Sequence, residues 1–156
     1  MIFLDPRQWL RIVSAILGLL FRRPLVGTSV IPVTADGQIV LVKRKDNGLW
    51  SLPGGLVDWG EDLSQAIARE LKEETGLQVC EMGRLVGVYS SPQRDPRIHS
   101  VCIAVEVRVT GTPAVEDFLE IEAVRAFSKT DIPMDALAHD HCQQLKDYFS
   151  AATTLA

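Results

Sequence analysis

The hydrophobic pattern of this chain changes period several times along its length. In residues 9–21, WLRIVSAILGLLF, the positions Leu10, Val13, Ile16, Leu17 and Leu20 share one helical face, because residues three and four apart are neighbours on a helix. Residues 26–33 and 39–44 read as strands, joined at Asp36-Gly37, a pair that tolerates the positive φ of a tight hairpin. Asn47-Gly48 marks a second turn, and Trp50-Ser51-Leu52 a short strand. Residues 85–90 and 98–109 are β-rich, and the second run alternates as Val101, Ile103, Val105 and Val107. A turn at Gly111-Thr112-Pro113 precedes a last strand over residues 121–127 and an amphipathic helix over 135–149.

The stretch between the two groups of strands is the most informative. Asp62 with Gln65 reads as an N-cap and its capping-box partner, and Gly76 as the residue that stops the helix. Leu63, Ala66, Ile67 and Leu71 form the apolar stripe that would hold this helix on a core. Glu70, Glu73 and Glu74 fall at i, i+3 and i+4, so three carboxylates crowd one helical face. Such a cluster repels itself unless a hard divalent cation such as Mg²⁺ or Mn²⁺ binds there. A solvated acidic face is the alternative. The loop Leu52-Pro53-Gly54-Gly55 just before the helix can bring main-chain oxygen close to a bound ion.

Gly55, five residues, Glu61, seven residues, Arg69-Glu70-Leu71, one residue, Glu73-Glu74, one residue, Gly76-Leu77: this spacing resembles the Nudix box at every fixed position. The resemblance implies an α/β/α sandwich with a mixed β-sheet over residues 25–156, preceded by an N-terminal amphipathic helix in residues 1–24. It also implies metal-dependent hydrolysis of a nucleoside diphosphate linked to another group. Glu70, Glu73 and Glu74 would be the metal ligands, helped by the carbonyl of Gly54, with Gly55 and Gly76 as structural glycines of the box. Arg69 and Glu61 would form a structural ion pair that holds Arg69 off the metals. The general base varies among relatives: it would come from the box or from a later loop, where Glu122 is preferred over Glu120.

Net charge −4 argues against a nucleic-acid surface, which carries a basic footprint. Cys80, Cys102 and Cys142 show neither zinc spacing nor a disulfide framework, so free thiols in a reducing cytoplasm are expected. The apolar run 9–21 is too short to span a bilayer and lacks a small-residue cleavage site. Its face would pack on its own domain or on a dimer mate; peripheral membrane contact is the other reading, since Arg7, Arg22 and Arg23 flank it.

Substrate choice must come from outside the box. Pro92 follows Leu77 by fifteen residues. Its loop, continuing as Arg94-Asp95-Pro96-Arg97, resembles that of the ADP-ribose pyrophosphatase branch. Arg94 and Arg97 offer bidentate donors to phosphate or ribose, and Arg44 another. Tyr89 would stack on adenine and His99 meet a phosphate or ribose, whereas His139 and His141 read as surface residues of the last helix. Ala126 stands where a tryptophan often precedes the phenylalanine in relatives. ADP-ribose cleaved to AMP and ribose 5-phosphate is the expected reaction. The alternatives are a nucleoside triphosphate or NADH as substrate and, in a different class, a nucleotide sensor without turnover.

Overall fold

Neighbouring residues of one strand point to opposite faces of a sheet, so a strand buried at consecutive positions must be covered on both sides. Val30-Ile31 and Val40-Leu41 are such pairs, all four fully buried. A computed structural model describes residues 6–21, 23–95 and 98–156; Arg22, Pro96 and the expected substrate contact Arg97 lie outside the described residues. The elements are α1 (Pro6–Phe21), β1 (Leu25–Val33), β2 (Ile39–Arg44), β3 (Trp50–Ser51), α2 (Leu63–Thr75), β4 (Gln78–Tyr89), β5 (Ser100–Thr110), β6 (Ile121–Phe127), α3 (His141–Phe149) and β7 (Thr154–Leu155).

The strands form one mixed sheet in the order β3-β2-β1-β5-β4-β7, with β6 also paired to β2. β1 and β5 run parallel from Leu25↔Ser100 to Val33↔Arg108. β4 is antiparallel to β5, and β2 is antiparallel to β3 and β6. Val30, Val40 and Val107 face Ile67 and Leu71 of α2. On the other side Ile31, Leu41 and Phe127 pack with Leu145 of α3. This is the expected α/β/α sandwich.

The hairpin at Asp36-Gly37 forms, with Gly37 at φ +80° and Val33 opposite Ile39. Two expectations need correction. β4 starts seven residues before the predicted strand 85–90. Its first half holds no fully buried residue, so its apolar pattern is weak; backbone pairing with β5 and the packing of Val79 and Met82 on the core hold it. The predicted helix 135–149 is split: a short 3₁₀ turn covers Met134–Ala136, and α3 begins only at His141. His139 has φ +53°, a left-handed conformation that a right-handed helix cannot continue through.

α1 forms as expected, with Pro6 in its first turn, where the missing N–H costs nothing. Its apolar face is not packed on the domain at the described positions: Trp9, Leu10, Ile12 and Leu17 are 59%, 70%, 49% and 47% exposed. No helix among the described residues is long and apolar enough to cross a membrane.

Candidate active site

α2 is fixed at both ends by its own sequence. The Asp62 carboxylate accepts from the Gln65 N–H at 2.9 Å and the Gln65 side chain accepts from the Asp62 N–H at 2.9 Å. At the other end Gly76, at φ +69°, donates its N–H to the Lys72 carbonyl. Burial of Ala66, Ile67 and Leu71 then sets the rotation of the helix, and the glutamates turn toward the loop after β3. That loop lies along β1, where Val30 N–H donates to the Pro53 carbonyl and Thr28 N–H to the Gly55 carbonyl, both at 2.8 Å.

Loop and helix meet at Glu74. Its side chain is buried, and Oε2 accepts from the Gly54 N–H at 2.9 Å. Burial raises its pKa to about 8; the Gly54 N–H opposes that shift, and the negative charge of Glu70 adds to it. Glu70 is also raised by burial, with the Arg69 guanidinium opposing. Glu73 is the most open of the three, its side chain 56% exposed.

Arg69 makes the expected pair with Glu61 but does not stand clear of the acidic face. Nε and Nη2 make a bidentate pair with Glu61 at 2.8 and 2.9 Å, which holds the Glu61 carboxyl down at about 2. Nη1 also donates to Glu70 at 2.7 Å and to Glu73 at 3.3 Å. Rather than standing off the acidic face, Arg69 ties two of its members to Glu61. This is how a crowded set of carboxylates is compensated by the chain's own atoms.

The acids open into a cleft of about 660 Å³. Asp58, Glu70, Glu73, Glu74, Asp95, Asp117 and Glu120 line it, against the two arginines Arg44 and Arg94. Both arginines are already engaged. Arg44 makes a bidentate pair with Asp46, both contacts 3.0 Å, and Arg94 makes one with Asp140 at 3.0 and 2.9 Å while donating to Ser100 Oγ at 2.7 Å. A polyanion entering such a cleft meets net repulsion, so the donor chemistry fits a hard divalent cation. In the geometry seen, no group of three His, Cys, Asp or Glu side chains among the described residues is closed into a ligand set.

The NUDIX domain profile matches residues 23–148, most of the chain. The chain belongs to the Nudix family. It is 42% identical over 134 residues to an ADP-ribose pyrophosphatase of Methanocaldococcus jannaschii, covering 83% of this chain and 75% of that protein. It is 34% identical to a putative 8-oxo-dGTP diphosphatase of Bacillus subtilis, covering 81% and 80%. Among solved structures, an ADP-ribose pyrophosphatase from Streptococcus suis superposes with a TM-score of 0.70 at 29% identity, over 86% of this chain and all of that one. The protein is a pyrophosphatase of the Nudix hydrolase family, a family that generally uses divalent metals.

Several expected contacts of this Nudix enzyme fall elsewhere. Glu122 is exposed, pairs with Lys43 at 2.9 Å and is absent from the cleft lining, because it sits inside β6 and reaches across to β2. Glu120, ahead of that strand, lines the cleft, 3.8 Å from Arg44. Tyr89 is buried and donates its hydroxyl to Asp147 at 2.8 Å, so no face is left to stack on adenine. Pro92 and His99 are exposed outside the cleft, and His99 contacts the Ser90 carbonyl at 3.2 Å.

Both histidines expected at the surface line the cleft; His139 is exposed there, as expected, and His141 is not. His141 is buried, and its Nδ1 accepts from the Leu52 N–H at 3.0 Å. Burial lowers its pKa to about 3. The ring is therefore neutral, with its proton on Nε2. No local signal marks this residue, because His141 opens α3 and its partner lies 89 residues away.

Two of the shifted groups, Glu74 and His141, pull the stability of the metal-free enzyme in opposite directions with pH. Glu74 holds its proton from 4.5 up to about 8 in the fold, so stability falls as pH rises through that window. His141 refuses a proton from 6.5 down to about 3, so stability falls as pH drops through that one. Thermal unfolding in a chelator should give a plateau where the windows overlap and a decline above it. Glu74→Gln should flatten the alkaline decline; an unchanged slope would remove Glu74 as its source.

Proposed function

We propose that the enzyme hydrolyses ADP-ribose to AMP and ribose 5-phosphate with Mg²⁺ or Mn²⁺. The observation that carries this reading is the acidic cleft itself, where Glu74 is buried on the Gly54 loop beside Glu70 and Glu73. Similarity to the Methanocaldococcus ADP-ribose pyrophosphatase supports the substrate. Glu70, Glu73, Glu74 and the Gly54 carbonyl would hold the cation. When bound, the cation offsets the charge of the pyrophosphate and makes the attacking water more acidic.

The chain's own residues do the rest. Arg44 and Arg94, braced by Asp46 and Asp140, position phosphate and ribose with little loss of side-chain freedom on binding. Glu120, placed on the cleft with its side chain 61% exposed, takes the proton from water and replaces Glu122 in that role. Glu120→Gln should lower kcat by about 10²–10⁴-fold, the usual worth of a positioned general base, while Glu122→Gln stays near wild type. Equal rates for the two variants would return the role to a glutamate of the box.

A nucleoside triphosphate is the second reading, on the likeness to the Bacillus protein. Steady-state assays of ADP-ribose, NADH and nucleoside triphosphates with each metal separate the two. The proposal expects the highest kcat/KM for ADP-ribose and AMP as a product. A higher value for a triphosphate, with pyrophosphate released, would overturn it.

A further inference from the structure

None of the residues that line the hydrolase cleft comes from α1, and four of the helix's described apolar residues are exposed. Trp9, Leu10, Ile12 and Leu17 are all about half exposed or more. They fall within one half of the helix circumference, together with Val13. Arg11, Ser14 and Gly18 follow at i, i+3 and i+7 and make the opposite stripe. Charge is divided just as sharply. Four of the chain's 16 basic residues, Arg7, Arg11, Arg22 and Arg23, lie in residues 6–24, and none of its 20 acidic residues does.

We propose that α1 lies in the plane of an anionic lipid surface and holds the hydrolase domain there. Its 16 residues are too few to cross a bilayer, and an in-plane helix needs only a broad apolar face with cations beside it. Trp9 suits the headgroup boundary, with an apolar ring and one N–H donor. Outside residues 6–24 acidic residues outnumber basic ones, so the arginines of this segment favour one orientation of the net acidic chain on an anionic surface. A second copy of α1 is a poorer occupant, since it would bring an equally basic helix against this one.

The test uses the full-length protein with vesicles of pure phosphatidylcholine and of an equimolar mixture with phosphatidylglycerol. Co-sedimentation should occur with the anionic vesicles and weaken as salt is raised. The double variant Arg7→Gln with Arg11→Gln should lose about tenfold or more in partitioning, and Leu10→Asp with Leu17→Asp should abolish it. Both variants should keep wild-type turnover. Three results would overturn the proposal. They are binding that is equal on both vesicle types, no vesicle binding with a dimer that Leu10→Asp dissociates, and no vesicle binding by a protein that stays monomeric. The second would assign the face to another copy of the chain.

Discussion

Glu74→Gln should lower kcat for ADP-ribose by about 10²–10⁴-fold and yet leave a protein that is as stable as the parent or more so above pH 8. The two effects share one cause. Glu74 sits buried with a single main-chain donor, and its pKa of about 8 says that the ionised form is disfavoured there. A carboxylate in that setting is costly unless a cation joins it. Glutamine keeps the shape and can still accept the Gly54 N–H, so the fold loses nothing while the negative ligand is gone. Glu73→Gln should lower kcat comparably with little effect on unfolding in either direction, since its side chain is the most open of the three. Initial rates with a Mg²⁺ titration, set beside unfolding in chelator at pH 8 and above, check both halves. Near-normal turnover in either variant would remove that glutamate from the metal set.

This pairing of effects also shows what is legible in the sequence. The rotation of α2 is a local matter, set by Asp62, Gln65, the apolar stripe and Gly76, all within the helix and its caps. Spacing alone therefore brings the three glutamates together. It says nothing of their surroundings. Arg94 meets Asp140 across 46 residues, Tyr89 meets Asp147 across 58, and His141 meets Leu52 across 89. No periodicity encodes those pairings. The departures from expectation follow the same line: Glu122 and Glu120 are two residues apart, and only the onset of β6 turns one to the cleft and the other to Lys43. The predicted helix 135–149 has the right composition, but the tertiary bond from Ala138 N–H to the Trp50 carbonyl, at 2.7 Å, holds that segment extended against β3. α1 is the converse case. Its amphipathic pattern is plain, yet Trp9, Leu10, Ile12 and Leu17 stay exposed, so the pattern by itself names no partner for that face.

The two glycines of the Pro53-Gly54-Gly55 loop should fail in different ways. Gly54 has φ +146°, and a Cβ there would stand 2.2 Å from the Thr28 carbonyl oxygen, a main-chain atom inside β1. Neither the strain nor the clash can be relieved without moving the loop off the strand. Gly54→Ala should therefore lower stability by about 2–4 kcal/mol and remove activity together, because Glu74 loses its N–H donor as the loop shifts. At Gly55 a Cβ would meet the Glu70 carboxylate, 2.3 Å from Oε1, which is the end of a mobile side chain. Gly55→Ala should unfold close to the parent temperature while binding metal weakly, since the added methyl displaces Glu70 from the acidic face. Unfolding curves and Mn²⁺ binding followed by electron paramagnetic resonance distinguish the pair. If both variants lose stability alike, Gly55 is held by the loop's backbone. If Gly55→Ala binds Mn²⁺ as the parent does, Glu70 is not among the ligands.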